Sequence, residues 1–260
     1  MSRAALAFQR VVRLDYFNTG ECKAKYYLVS IVRFGIVLPC SIYAHHRQRN
    51  ALRSLASLAR TVVGDLPTPT LFFVVKPVRN TEAIVAHRSF PQFAKQVVYQ
   101  PADAADVDAA VAYGFECLAD RGFDRILHVC DDFIYHPGWL LELRDLIGRH
   151  PDAIACSVYR SGYSGNHWTI ETRGQDNLVN SISSTGAITP AEWKAWGMRY
   201  QDVSERGATL DVLHGRQRRG ERWVTEKSYI QQLVGYGVHS APYDPDQALE
   251  FVGERVLVAG

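Results

Sequence analysis

A run of strand length, Arg125-Ile126-Leu127-His128-Val129-Cys130, ends in two adjacent carboxylates, Asp131 and Asp132. Pro137 and Gly138 follow, and beyond them Trp139, Leu140, Leu143, Leu146 and Ile147 recur with the spacing of one helix face. Strand, acidic turn and amphipathic helix in that order point to an alternating α/β chain. In an open α/β sheet, ligands bind at the carboxyl ends of the strands. Two acids at such an end are hard oxygen donors and suit Mg²⁺ or Mn²⁺ carrying a diphosphate. The same pair also fits a plain acidic strand-to-helix turn in which one aspartate caps the helix.

The remainder of the chain extends the alternation. Residues 34–39 read as a first core strand, apolar enough to be buried on both faces. A polar loop follows, then a helix over about 47–63 with Leu52, Leu55, Ala59 and Val62 inward. Residues 70–75 and 96–99 are the next strands. A helix is expected over 103–120 on the face of Val107, Ala110, Val111, Gly114, Phe115 and Leu118. After the acidic turn and its helix comes a strand at 153–159. This order argues for a mainly parallel sheet with helices on both faces.

Beyond residue 160 the pattern loosens. Residues 177–188 read as one polar strand, 190–193 as a helix start with Pro190 in the first turn, 216–222 as a basic loop and 226–234 as a helix. Residues 1–33 hold two strand-like runs around a turn at 18–21, an N-terminal extension or hairpin. With no repeat and no linker, residues 34–260 are taken as one domain.

Composition narrows the class. A formal net charge of +2 gives no global reason to bind nucleic acid or an anionic membrane. Five cysteines, an odd number without a C-x-x-C pair, read as free thiols of a reducing compartment. The longest apolar stretch, 26–39, is interrupted by Arg33 and Gly35 and is too short to cross a bilayer. No signal-type segment is evident, so a soluble cytoplasmic protein without a transmembrane anchor is expected.

The strand at 36–39, the helix around Leu52-Arg53-Ser54-Leu55-Ala56-Ser57-Leu58 and, above all, the stretch from Ile126 to Leu140 resemble GT-A-fold glycosyltransferases, particularly the family 2 type. In that family a strand ends in an aspartate cluster, the DXD motif, followed by a His-Pro-x-Trp-Leu helix entry. The resemblance covers residues 34–160 well and 180–240 more loosely. It implies a GT-A (Rossmann-like) fold, with a nucleotide-sugar-binding half at 34–160 and an acceptor-binding half at 161–260.

It also implies roles. Cys130 stands where the family's first acid would be. Asp132 is then the direct ligand of Mn²⁺ or Mg²⁺, and Asp131 contacts the ribose or sugar. Pro39, Ser41 and Tyr43 are expected at the donor, and Gly186 in the glycine-containing loop of the sugar site. Asp211 matches the general base and His239 a late metal ligand. Independently of the resemblance, basic side chains suit phosphates, so Arg218 and Arg222, in a basic loop with Arg216 and Arg219, are expected to bond the donor phosphates; the same stretch also fits a plain solvated basic turn. The family's base-reading aspartate is replaced here by Lys76-Pro77-Val78-Arg79.

The activity implied is metal-dependent transfer of a sugar from a nucleotide-diphosphate donor to an acceptor hydroxyl, with inversion. The acceptor is a saccharide or another hydroxyl-bearing molecule, a modified nucleic-acid base included. Two other classes stay open: a sugar nucleotidyltransferase, and a non-catalytic sugar- or nucleic-acid-binding module of the same fold. The former would want glycine in the loop after the first strand, and residues 40–46 have none.

Overall fold

The computed structural model describes residues 8–16, 22–40, 45–76, 85, 89–104, 106–160, 169–182, 185–203, 210–233 and 251–252, with the backbone alone at 8–16, 22–30, 45–47, 211 and 212. Strands β1 (Phe8–Tyr16) and β2 (Cys22–Ser30) pair antiparallel without a register break and form a ribbon separate from the main sheet.

The main sheet has nine strands in the order β5-β4-β3-β6-β11-β8-β12-β10-β9. Its members are β3 (Phe34–Cys40), β4 (Thr70–Val75), β5 (Ala94–Tyr99), β6 (Arg125–His128), β8 (Ala155–Ser157), β9 (Thr169–Arg173), β10 (Asp176–Val179), β11 (Ala187–Ile188) and β12 (Arg222–Thr225). Only β10 and β11 run against the rest. A second small sheet pairs β7 (Phe133–Tyr135) with β13 (Ile230–Gln232). β3 and β4 are buried along their whole length, which central parallel strands require and their unbroken apolar sequences supply.

Helices cover both faces. Ile36 and Leu38 point to one side, where Leu55 and Leu58 of α1 (His45–Leu58) and Trp139, Leu143 and Ile147 of α3 (Trp139–Arg149) close the core. Val37, Phe72 and Val74 point to the other. There they meet α2 (Val107–Ala119), α4 (Pro190–Trp196), the short α5 (Tyr200–Val203) and α6 (Leu210–Gln217). Asp106 caps α2 by accepting the Ala109 N–H at 2.8 Å, and Thr189 caps α4 just ahead of Pro190. No helix among the described residues is long and apolar enough to cross a membrane.

Several sequence expectations are corrected. α1 ends at Leu58, not near 63, because Thr61 Oγ1 and Gln92 Nε2 take its last carbonyls and the Val62 N–H turns to Pro137 O at 2.8 Å. Its inward face is Ala51, Ser54, Leu55 and Leu58, while Leu52 and Val62 are exposed. The single strand expected at 177–188 is two, β10 and β11, at different places in the sheet. The helix expected at 226–234 is the strand β13, whose approach is fixed by Tyr229 N–H on Val158 O and His136 N–H on Tyr229 O. The basic stretch 216–222 is the end of α6, a short loop and the start of β12.

Candidate active site

The chain runs from β3 outward to β4 and β5, then returns to place β6 on the other side of β3. The gap between the carboxyl ends of β3 and β6 is therefore the topological switch point, where open α/β sheets bind ligands. The backbone opens it. The Val129 N–H still bonds Val37 O at 2.8 Å, after which the chain leaves the sheet into the turn at Asp131 and Asp132. Pro39 is buried in β3 two residues past Val37, on the side where β6 has already ended, so its missing N–H costs no ladder bond. Ser41 and Tyr43, expected next to it, lie outside the described residues.

A buried polar network holds the acidic turn. The Tyr135 hydroxyl, on a side chain 1% exposed, accepts the Cys130 N–H at 2.8 Å and donates to Cys130 O at 2.8 Å. Ser54 Oγ donates to the same carbonyl at 3.1 Å, and Ser57 Oγ accepts the Tyr135 N–H at 3.0 Å. On the far side of the turn, Leu233 N–H bonds Asp132 O at 2.7 Å and ties in the end of β13. Burial raises the Tyr135 pKa well above the ordinary tyrosine value, helped by the charges at Cys130, Asp132 and Asp131, so the hydroxyl remains a donor. His128, at the end of β6, is held down to about 4 by desolvation and is neutral at pH 7.

None of these support residues was evident from the sequence. Ser54 and Ser57 belong to α1, and only their bonds to the segment around the acidic turn explain their burial. Tyr135→Phe removes both bonds to Cys130 and is expected to cost about 1–3 kcal/mol of stability. Chemical denaturation measures it, and an unchanged midpoint would remove Tyr135 from this role.

Other expected residues reach the same edge. Gly186 directly precedes β11, whose Ala187 pairs with Cys156 of β8. The left-handed residue of this loop is Thr185 (φ 82°), not the glycine. Thr185 is buried, its Oγ1 lies 3.1 Å from Ser157 Oγ, and so bulky a residue in that region marks stored strain. α6 begins beside the start of α2, where the Leu210 N–H bonds Asp108 Oδ1 at 3.1 Å. Since α2 starts at the edge where β5 ends, position 211 in the first turn of α6 belongs to the same edge. His239 lies outside the described residues.

The arginines do not join them. Arg222 opens β12, level with Ala155 and, through Ile188, with Ile126 near the start of β6. It is three strands away, about 14 Å at the usual strand spacing, and at the opposite end of the sheet. It is buried and donates to His214 O, Gly220 O and Arg218 O, while Arg218 forks onto Glu192 at 2.7 and 3.0 Å. The phosphate role expected of Arg218 and Arg222 is therefore not carried by their placement.

Among the described residues no group of three His, Cys, Asp or Glu side chains converges as a metal cage. A cage is not what the expected ion needs. Mg²⁺ is commonly held by one or two carboxylates plus the substrate's phosphates, and the half-buried Asp132 at the switch point is a carboxylate of that kind, while Asp131 beside it is buried.

No protein-family model matches the sequence, and no curated protein matches it significantly. Solved structures do match. S. aureus TarS 1-349 in complex with UDP-GlcNAc has a TM-score of 0.58 at 14% identity, covering 80% of this chain and 61% of that one. S. aureus TarS has a TM-score of 0.56 at 13% identity, covering 78% of this chain and 37% of that one. The complex of TarS 1-349 with UDP gives 0.57 at 12%, covering 78% and 60%. The chain thus spans less than two thirds of each of these proteins. At such identities the likeness concerns architecture, and the architecture is plain: the chain is built on the GT-A fold.

Proposed function

We propose that the protein is a metal-dependent glycosyltransferase that moves a sugar from a nucleotide-diphosphate donor to an acceptor hydroxyl with inversion. The observation that carries this reading is the carboxylate pair, Asp131 and Asp132, at the switch point between β3 and β6 of a GT-A sheet. S. aureus TarS, of the same fold, is known in complex with UDP-GlcNAc, which makes UDP-sugars the first donors to test.

In this reading Asp132, with His239, holds Mn²⁺ or Mg²⁺, and Asp131 contacts the ribose or sugar. The ion supplies Lewis-acid neutralisation of the charge that builds on the leaving diphosphate. Asp211 takes the proton of the acceptor hydroxyl. The acceptor oxygen then bonds to the anomeric carbon on the face opposite the diphosphate, whose C–O bond breaks with the electron pair going to the leaving oxygen. Gly186 and the strained Thr185 line the sugar subsite. Residues 34–160 serve the donor and 161–260 the acceptor, a saccharide or another hydroxyl-bearing molecule.

A thermal-shift screen of UDP-, GDP-, CMP- and TDP-sugars with and without Mn²⁺ tests the proposal. A donor at about 100 times its Kd adds about 2.7 kcal/mol. For a chain of this size that raises Tm by about 5–10 °C. The expected result is one nucleotide class that stabilises only with the metal. Indifference to every donor in both conditions would refute the assignment.

A further inference from the structure

At the sheet end opposite the acidic turn, a pocket of about 540 Å³ opens between the end of β10, the last turn of α6 and the loop into β12. That volume suits a small organic ligand. Arg216, Arg218, Arg219 and Arg222 line it against a single carboxylate, Glu221. Glu221 Oε2 is engaged by Trp223 Nε1 at 3.0 Å.

The rim is preformed. Arg222, 4% exposed, ties down the carbonyls of His214, Arg218 and Gly220 at 3.1, 2.7 and 3.2 Å. Gly220 sits at φ 146°, where a Cβ would lie 2.5 Å from Ile154 Cγ2. The Ile154 N–H holds Glu221 O at 3.0 Å. A cation near the end of α6 is favourable in any protein, and Arg222 is accounted for that way. That leaves the remaining surplus of positive charge without a structural task. Arg216 and Arg219 are exposed and make no ion pair among the described residues. Two exposed, unpaired guanidinium groups facing one carboxylate that is already engaged make a rim suited to an anion. Ile170, 66% exposed, gives the same pocket an apolar wall.

We propose that this pocket is a second ligand site, separate from the acidic edge, that binds a phosphomonoester with a sugar-sized body. Arg216 and Arg219 grip the phosphate, and Ile170 packs against the body. The site does not depend on the donor assignment, because no divalent ion and no residue of the acidic turn takes part.

The test is calorimetric titration of the full chain in EDTA with glucose 1-phosphate, and separately with inorganic phosphate. Saturable binding of glucose 1-phosphate is expected, at least about tenfold tighter than that of inorganic phosphate. The double variant Arg216→Ala, Arg219→Ala should weaken it at least about tenfold, as lost charge-assisted bonds require, with an unchanged circular dichroism spectrum. Binding in EDTA should persist in Asp132→Ala. Absence of saturable binding, or equal affinity in the double variant, overturns the site. Binding that needs Mn²⁺ and vanishes in Asp132→Ala places the phosphate at the acidic edge and also overturns it. Equal affinity for inorganic phosphate overturns the sugar-sized body.

Discussion

On the proposed reading, replacing Asp132 by alanine is expected to lower kcat/KM for sugar transfer by about 10³-fold or more, some 4 kcal/mol of transition-state stabilisation, and to abolish metal-dependent donor binding. The size follows from the chemistry. In the proposed reaction the diphosphate gains charge as its bond to the anomeric carbon breaks, and a divalent ion held by Asp132 would be worth several kcal/mol against that charge. The tie to β13 should survive, because the Leu233 N–H bonds the main-chain carbonyl of Asp132, which alanine keeps. Asp132→Asn separates charge from shape: it preserves the side-chain volume and should be nearly as inactive. Asp211→Asn should behave differently, retaining the metal-dependent thermal shift while losing turnover, since a base acts on the acceptor and not on the donor. Single-turnover rates and thermal shifts on the three variants distinguish these roles. Full activity in Asp132→Ala would remove the carboxylate pair from the reaction altogether.

The parts of the molecule legible in its sequence are those whose signal is local. β3 and β4 are buried on both faces, so their sequences are uninterrupted apolar runs. The buried stripe of α3 is Trp139, Leu140, Leu143, Leu146 and Ile147, a helix period that nothing else mimics. The acidic turn is visible because it sits between the apolar run of β6 and that helix. What failed depends on distant partners. β11 has only two residues and β10 four, and their places in the sheet are decided by β6, β8 and β12, not by their own composition. The basic segment 216–222 reads as a donor-phosphate loop because arginines suit phosphates. Which end of the sheet they occupy depends on the parallel pairing of β12 with β8, a fact absent from the local sequence. The roles of Ser54 and Ser57 are hidden for the same reason: the groups they bond, Cys130 O and the Tyr135 N–H, are more than 70 residues away.

Gly114→Ala is expected to destabilise the protein by about 2–3 kcal/mol, against the usual preference of helices for alanine. Gly114 lies in the middle of α2, where α2 presses onto β3. A Cβ there would lie 2.4 Å from Val37 Cγ1 and 2.8 Å from Cγ2. Val37 cannot yield easily. It is fully buried, its backbone is held between Phe72 of β4 and His128 of β6, and its branched side chain has little rotamer freedom. The helix must therefore move off the sheet. At this chain length the loss corresponds to a Tm lower by about 4–12 °C. Val37→Ala alone should cost about 1–3 kcal/mol by leaving a cavity. Combined with Gly114→Ala it removes the colliding methyl groups and lets the new one fill their space, so the double variant should cost at least about 1 kcal/mol less than the two singles together. Strict additivity, or a gain in stability from Gly114→Ala alone, would mean that α2 has room the spacing denies. Displacement of α2 should also be felt at the acidic edge. Asp108 in its first turn accepts the Leu210 N–H that starts α6, so a shifted α2 shifts position 211. Turnover by Gly114→Ala should then fall even where the variant is fully folded, and Val37→Ala should restore it.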